Sequence, residues 1–142
     1  MKKLELFVAG TCKYDRFAVT CGPKLSIWYG KFFPTDKTYV RGMPETAERS
    51  AVEKAYWVGW KVAEGLGIPL RVIVHTSWRY TQDDFWKLEK QGRKKRVELY
   101  VVQVEADDNP ARDLLRVMEY QKADLARACR CVETQGWIGS DL

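Results

Sequence analysis

Along the first third of the chain the apolar positions alternate or fall in short runs between turn formers, a pattern that predicts strands. Lys3 to Ala9 (KLELFVA) alternates loosely and stops at Gly10. Arg16 to Cys21 (RFAVTC) is a second run, turned by Gly22-Pro23, and Leu25 to Gly30 (LSIWYG) is a third. Their short connections predict an antiparallel meander. A polar loop from Pro34 to Pro44 follows, and the apolar period then changes. Ala47, Ala51, Ala55, Val58, Gly59, Val62 and Leu66 share one face of a helix predicted from about Glu45 to Leu66, ended by Gly65 and Gly67. The small residues on that face would let the helix sit close to a sheet. Glu48 falls on the same apolar face.

Leu70 to His75 (LRVIVH) predicts a fourth strand, and Thr81 to Gln91 a short helix with Thr81 as its cap. Arg96 to Glu105 predicts a fifth strand. Asn109-Pro110 is a start signal for a last helix, predicted to run unbroken to about Val132 with Leu114, Met118, Leu125, Cys129 and Val132 on its apolar face. The resulting order, β-β-β-α-β-α-β-α, predicts a mixed α/β fold: a five-stranded mixed sheet with helices on its faces, in one domain spanning residues 1–142.

Composition narrows the function classes. The 142 residues are 46% hydrophobic and 30% charged, which argues against disorder. The longest apolar runs fall far short of the roughly 20 residues of a spanning helix, and the N-terminal MKKLEL lacks the apolar core of a secretory leader. A cytoplasmic setting is expected. Cys12, Cys21, Cys129 and Cys131 form no CxxC pair, and His75 is the sole histidine, so a zinc site is not expected. Reduced thiols are expected, with a Cys12–Cys21 bridge left geometrically open.

Charge is concentrated in one place. The chain carries 24 Lys and Arg against 19 Asp and Glu, a net +5. Lys87, Lys90, Arg93, Lys94, Lys95 and Arg96 stand against Glu89 alone, so this one stretch equals the whole surplus. Trp78 and Trp86 precede it. Such a run suits phosphate neutralisation, with an aromatic ring against a sugar or base, and equally suits a solvated turn.

Several local sequences resemble the ribonuclease H family. Leu6-Phe7-Val8-Ala9-Gly10-Thr11-Cys12 is similar to the family's first strand, which ends in Asp-Gly-Ser-Cys or a close variant. Glu48-Arg49-Ser50-Ala51-Val52-Glu53-Lys54-Ala55 resembles the opening of its first helix, Glu-x-x-Ala-x-x-x-Ala. Thr76-Ser77-Trp78-Arg79-Tyr80 looks like the end of its fourth strand, and Leu125-Ala126-Arg127-Ala128 resembles its C-terminal helix. The element order agrees with the family's over nearly the whole chain. Members cleave RNA in RNA–DNA hybrids with two divalent ions, held by about four carboxylates.

The resemblance implies a degenerate site. Ala9 stands at the first-strand acid and Ser77, or Thr76 with a one-residue slip, at the fourth-strand acid. Glu48 matches the helix acid. Asp113 and Asp124 are both candidates for the last one, Asp113 being favoured by its place in the first helical turns. Ala9 is also what a deliberate aspartate-to-alanine replacement would leave, whereas Ser77 would need a second such change. Glu48, Asp113 and Asp124 are thus the residual catalytic candidates, with Glu48 and Asp113 as vestigial metal ligands. Asp107 and Asp108 could be replacement ligands, or simply a charged loop.

The leading expectation is a nucleic-acid-binding protein that holds an RNA–DNA hybrid or structured duplex with little or no cleavage. It would use Lys87, Lys90, Arg93, Lys94, Lys95 and Trp86, as a monomer or weak dimer. No cofactor would be required, Mg or Mn ions serving only where catalysis remains. The alternatives are an active metal-dependent nuclease of the ribonuclease H type and a protein–protein interaction module presenting Trp57 and Trp60. His75, near the expected acid cluster, is read as a structural histidine or as a ligand or proton shuttle.

Overall fold

The structure is a computed structural model that describes residues 1–132. Five strands form one mixed sheet: β1 (Lys2–Thr11), β2 (Arg16–Thr20), β3 (Ser26–Lys31), β4 (Leu70–Thr76) and β5 (Val97–Gln103), in the spatial order β3-β2-β1-β4-β5. The first three strands pair antiparallel, while β1–β4 and β4–β5 are parallel. Helix α1 (Pro44–Leu66) carries the crossover from β3 to β4 and ends on Gly67 in the left-handed conformation (φ 65°). The predicted strands and this helix match within one or two residues at most ends.

Alternation along the strands separates two faces. Leu4, Leu6 and Val8 of β1 and Leu70, Val72 and Val74 of β4 are fully buried against Ala51, Ala55, Val58 and Val62 of α1. Gly59 makes that approach close: a Cβ there would lie 2.4 Å from Val72 Cγ2. On the opposite face a smaller cluster joins Ala9, Ala18 and Ala111 with Phe7, Tyr29, Leu114 and Leu115.

The connection from β4 to β5 is a 3-10 turn (Gln82–Phe85) leading into α2 (Trp86–Arg93). The predicted single helix therefore opens as a tighter 3-10 turn, with Asp84 Oδ2 accepting from the Thr81 N–H at 2.7 Å. Gly92 lets α2 seat on the core, since a Cβ there would meet the Tyr56 hydroxyl at 2.4 Å.

The C-terminal part corrects the prediction of one unbroken helix over 110–132. Asn109 does cap and Pro110 does open a helix, but it is a 3-10 helix (Pro110–Arg116) that ends at Val117 in extended backbone (ψ 115°). Residues 117–124 then cross the sheet edge beside β3. Tyr29 and Gln121 exchange backbone hydrogen bonds of 3.2 and 2.9 Å, and the buried Arg16 guanidinium donates to the carbonyls of Met118 and Glu119. Backbone that pairs with a strand in this way is extended, and the Gln121 N–H given to Tyr29 is lost to an α-helical ladder. A further helix, α3, occupies residues 125–132, and its Ala128, Cys131 and Val132 belong to the main core on the α1 face.

Candidate functional site

The corner where α1 meets the ends of β1 and β4 is built around Glu48. Gly10 allows it to form, because a Cβ at that position would lie 2.2 Å from the Ala47 carbonyl oxygen. With the helix this close, Glu48 Oε1 accepts from the Gly10 N–H at 2.8 Å and Oε2 from the Thr76 hydroxyl at 2.5 Å. Burial drives the Glu48 carboxyl above its ordinary range, outweighing the opposing hydrogen bonds from Thr76, Gly10 and Ser77 and the charge of Arg112.

The other described members of the corner are uncharged. Ala9 is fully buried against Ala18 and Ala111. Asn109, also buried, donates from Nδ2 to the Val8 carbonyl at 2.8 Å and to Ser77 Oγ at 3.0 Å. Its Oδ1 accepts from Ala111 N–H at 3.1 Å. One side chain thus caps the 3-10 helix and closes the gap between the ends of β1 and β4.

The remaining candidate acids lie elsewhere. Asp113 lines a surface groove of about 690 Å³ together with Lys13, Asp107, Asp108, Arg112 and Arg116, and Asn109 forms part of its wall. Asp124 lies at the β3 edge, two strands away from β1. There it is the N-cap of α3, with Oδ1 accepting from Arg127 N–H at 2.9 Å. The structure therefore does not bring Asp124 to Glu48.

His75 is adjacent to Thr76 in sequence but points to the opposite face of β4. Its ring stacks on Phe7 at 4.4 Å between centroids, with Glu5 Oε2 at 3.8 Å. Desolvation lowers its pKa, against the pull of Glu5.

The residues present do not fit a pair of hard divalent ions. Both Glu48 oxygens are committed to protein donors, Ala9 offers no oxygen, and Ser77 Oγ is engaged by Asn109. Among the described residues, no group of three or more His, Cys, Asp or Glu side chains is placed to hold a metal ion.

The sequence matches no protein-family model and no curated protein.

The basic stretch is presented differently from the corner. Lys87, Lys90, Arg93, Lys94 and Lys95 are all exposed, and Trp86 is 56% exposed. Helical spacing puts 87, 90 and 94 on one outward face, while Leu88 and Gly92 turn inward. Beside this face Arg93 is tied to Glu89 at 2.8 Å, and the Lys87 ammonium lies 5.7 Å from the Trp86 ring centroid. Lys95 lies 4.1 Å over the ring of Trp60 on α1, at the edge of a small hollow that Arg96 also lines.

The other tryptophans divide. Trp57 packs against Trp28 at 5.3 Å and joins the core periphery, whereas Trp60 is half-buried under Lys95 and Lys61.

Thr76 and Asn109 are the corner residues that sequence reasoning does not single out for their hydrogen bonds. Asn109 is legible as a helix cap, which leaves its amide Nδ2 unassigned. A cap uses only the side-chain oxygen, so the two remaining donors are the signal that a second partner is needed.

Proposed function

We propose that this chain is a nucleic-acid-binding protein with a degenerate ribonuclease H-like fold, holding an RNA–DNA hybrid or structured duplex with little or no cleavage. The observation that carries the reading is the exposed basic face of α2 and the turn after it, which presents Lys87, Lys90, Arg93, Lys94 and Lys95 together with the exposed Trp86. Lys and Arg on a short helix pinned to a sheet can meet successive phosphates with little ordering cost, and the binding free energy then depends on salt. A duplex with A-form geometry would be read by shape, through its backbone and 2′-hydroxyls.

The fold half of the proposal is supported by the antiparallel meander followed by two parallel strands with helical crossovers, the arrangement that the resemblance implies. The loss of cleavage is supported by the corner itself. Its one carboxylate among the described residues is buried and doubly hydrogen-bonded, and Ala9 and the Asn109–Ser77 pair fill the places where further acids would stand.

The test is fluorescence anisotropy of a labelled RNA–DNA hybrid, followed over time with protein and Mn²⁺. A rise that persists and weakens with salt is expected. Replacing Lys90→Glu and Lys94→Glu together should weaken binding and reduce the salt slope by about one for each phosphate no longer neutralised. Unchanged affinity in that variant would refute the assigned surface. A signal that decays below the free-hybrid value would establish cleavage, and no rise at all would favour an interaction module.

A further inference from the structure

Strands β1, β4 and β5 run parallel, and parallel strands are ordinarily covered on both faces. Their core face carries Leu4, Leu6, Val72, Val74, Val97 and Leu99. Among the described residues, the helices packed on β4 and β5 are α1 and α2, both on that core face. Alternation sends the intervening side chains to the outer face. There Tyr100 and Val102 are 43% and 42% exposed.

The strand register arranges this outer face in three rows. Lys3, Arg71 and Glu98 stand side by side, then Glu5, Ile73 and Tyr100, then Phe7, His75 and Val102. Arg71 Nε is 3.1 Å from Glu98 Oε2, and its guanidinium lies 5.4 Å from the Tyr100 ring centroid. Two cations are matched by two carboxylates, so the patch sums to zero in a chain of net +5. A neutral, partly apolar face has no pull on a polyanion, and a second copy of the chain meets it without net repulsion.

The order of the charges selects how two copies fit. A two-fold axis presents the same patch on both, and two sheets pack face to face with their strands nearly aligned. An axis across the strands would lay the charged first row on the Phe7 row of the other copy, stripping ions of water without pairing them. An axis along β4 instead keeps each row against itself and exchanges β1 with β5. Lys3 then meets Glu98 of the other copy, Glu5 meets the Tyr100 hydroxyl and Phe7 meets Val102. The β4 residues meet their own counterparts on the axis: Ile73 as an apolar pair, His75 stacked on its own Phe7, and Arg71 neutralised by its own Glu98. Only about this axis is the pattern complementary to itself.

We propose that this chain forms a weak two-fold dimer through the outer face of β1, β4 and β5, with the axis along β4. Three strands about 4.8 Å apart and three rows about 6.7 Å apart cover roughly 300 Å² on each copy, against about 800 Å² per partner in a standard interface. The dimer is therefore transient and is populated at high protein concentration. The β5 edge, where Gln82 lies, is outside a face-to-face contact, so association stops at two copies. The basic face of α2 lies on the other side of the sheet and stays open in both.

The test is sedimentation equilibrium of the full chain from the low micromolar to the millimolar range. The weight-average mass should climb from one chain towards two and no further. Lys3→Glu sets like charges against Glu98 of the other copy, and Glu98→Lys does the same against Lys3. Symmetry counts each change twice, so either variant alone should weaken the dimer about tenfold. Mixed in equal amounts, the two variants regain both contacts with the signs exchanged, and the dimer should return. Hydroxyl-radical footprinting of the parent, which needs no variant, should show protection of Tyr100 that grows with concentration. A chain that stays monomeric to millimolar concentration, or a mixture no tighter than either variant alone, would overturn the proposal. So would Tyr100 protection that is independent of concentration, the result expected where residues 133–142 of the same chain cover the face.

Discussion

The Thr76 hydroxyl donates to Glu48 Oε2 across 2.5 Å, joining the end of β4 to the first turns of α1 in a place without free solvent. A carboxylate in that position is hydrogen-bonded yet desolvated, and desolvation dominates. With the folded-state pKa raised above the ordinary 4.5, the folded chain holds the proton more tightly than the unfolded chain. Glu48 therefore contributes stability that is full below about 4.5 and is lost as pH rises through its folded-state value. Glu48→Gln removes the titration and keeps the shape. Its urea-unfolding stability should match or exceed the parent's at pH 7.5, with the difference narrowing towards pH 4.5; parallel pH profiles would contradict this. Glu48→Ala, compared at pH 4.5 where the carboxyl is protonated, should cost about 1–3 kcal/mol because the Gly10 N–H and Thr76 hydroxyl lose their acceptor.

A second buried charge sits on the next turns of the same helix. Lys54 Nζ is 2.8 Å from Asp36 Oδ1, with side-chain exposures of 7% and 15%. The ammonium also lies 4.5, 4.6 and 4.7 Å from the ring centroids of Phe17, Trp28 and Phe33. Burial lowers the Lys54 pKa and Asp36 opposes this. Asp36→Ala leaves the cation without its counter-ion and should cost about 3 kcal/mol at neutral pH. Part of that loss should return as pH rises towards 10.5, because the folded chain releases the Lys54 proton before the unfolded chain does. Chemical denaturation between pH 7 and pH 10 reads both effects.

Two glycines of α1 should respond oppositely to the same change. Gly59→Ala places a methyl 2.4 Å from the stiff Val72 side chain and should destabilise by about 1–3 kcal/mol. Gly65→Ala meets nothing within 4 Å and should stabilise by about 0.5–1 kcal/mol through helix propensity. Adding Val72→Ala to Gly59→Ala should give a favourable coupling in a double-mutant cycle measured by thermal unfolding.

A side chain covers part of the edge strand β5. Gln82 Nε2 donates to the Leu99 carbonyl at 2.7 Å and Gln82 Oε1 accepts from Val101 N–H at 3.1 Å, so the amide imitates a neighbouring strand. Gln82→Ala should cost about 1 kcal/mol and make the protein self-associate, seen as a concentration-dependent mass in analytical ultracentrifugation. A monomeric variant of unchanged stability would remove this role.

Gln121 does comparable work at the opposite edge. Its Nε2 donates to the Ser26 and Ile27 carbonyls at 3.1 and 3.2 Å, and its backbone pairs with Tyr29. Neither glutamine stands out in the sequence, because an amide side chain has no periodic signature and its partner strand is 19 or 95 positions away. The same holds for Lys54 and Asp36, which read as ordinary surface charges in a helix and a loop.

Order along the chain was enough for whatever depends on near neighbours. Alternation placed the five strands, the 3.6-residue period and Gly67 placed α1, and the same period put Glu48 on the face that meets the sheet. Simple counting located the basic segment that α2 presents outward. Where segments far apart compete for the same hydrogen bonds, the assembled fold makes the choice. The apolar spacing of Leu114, Met118 and Leu125 fits one long helix, yet Arg16 and Tyr29 claim the backbone at 118–121 and leave Met118 71% exposed. Asp124 thereby became a helix cap at the β3 edge, and Asn109 and Thr76 closed the corner around Glu48. Local periodicity reports what a segment can bury, whereas its buried donors and acceptors are satisfied by whatever the completed fold brings alongside.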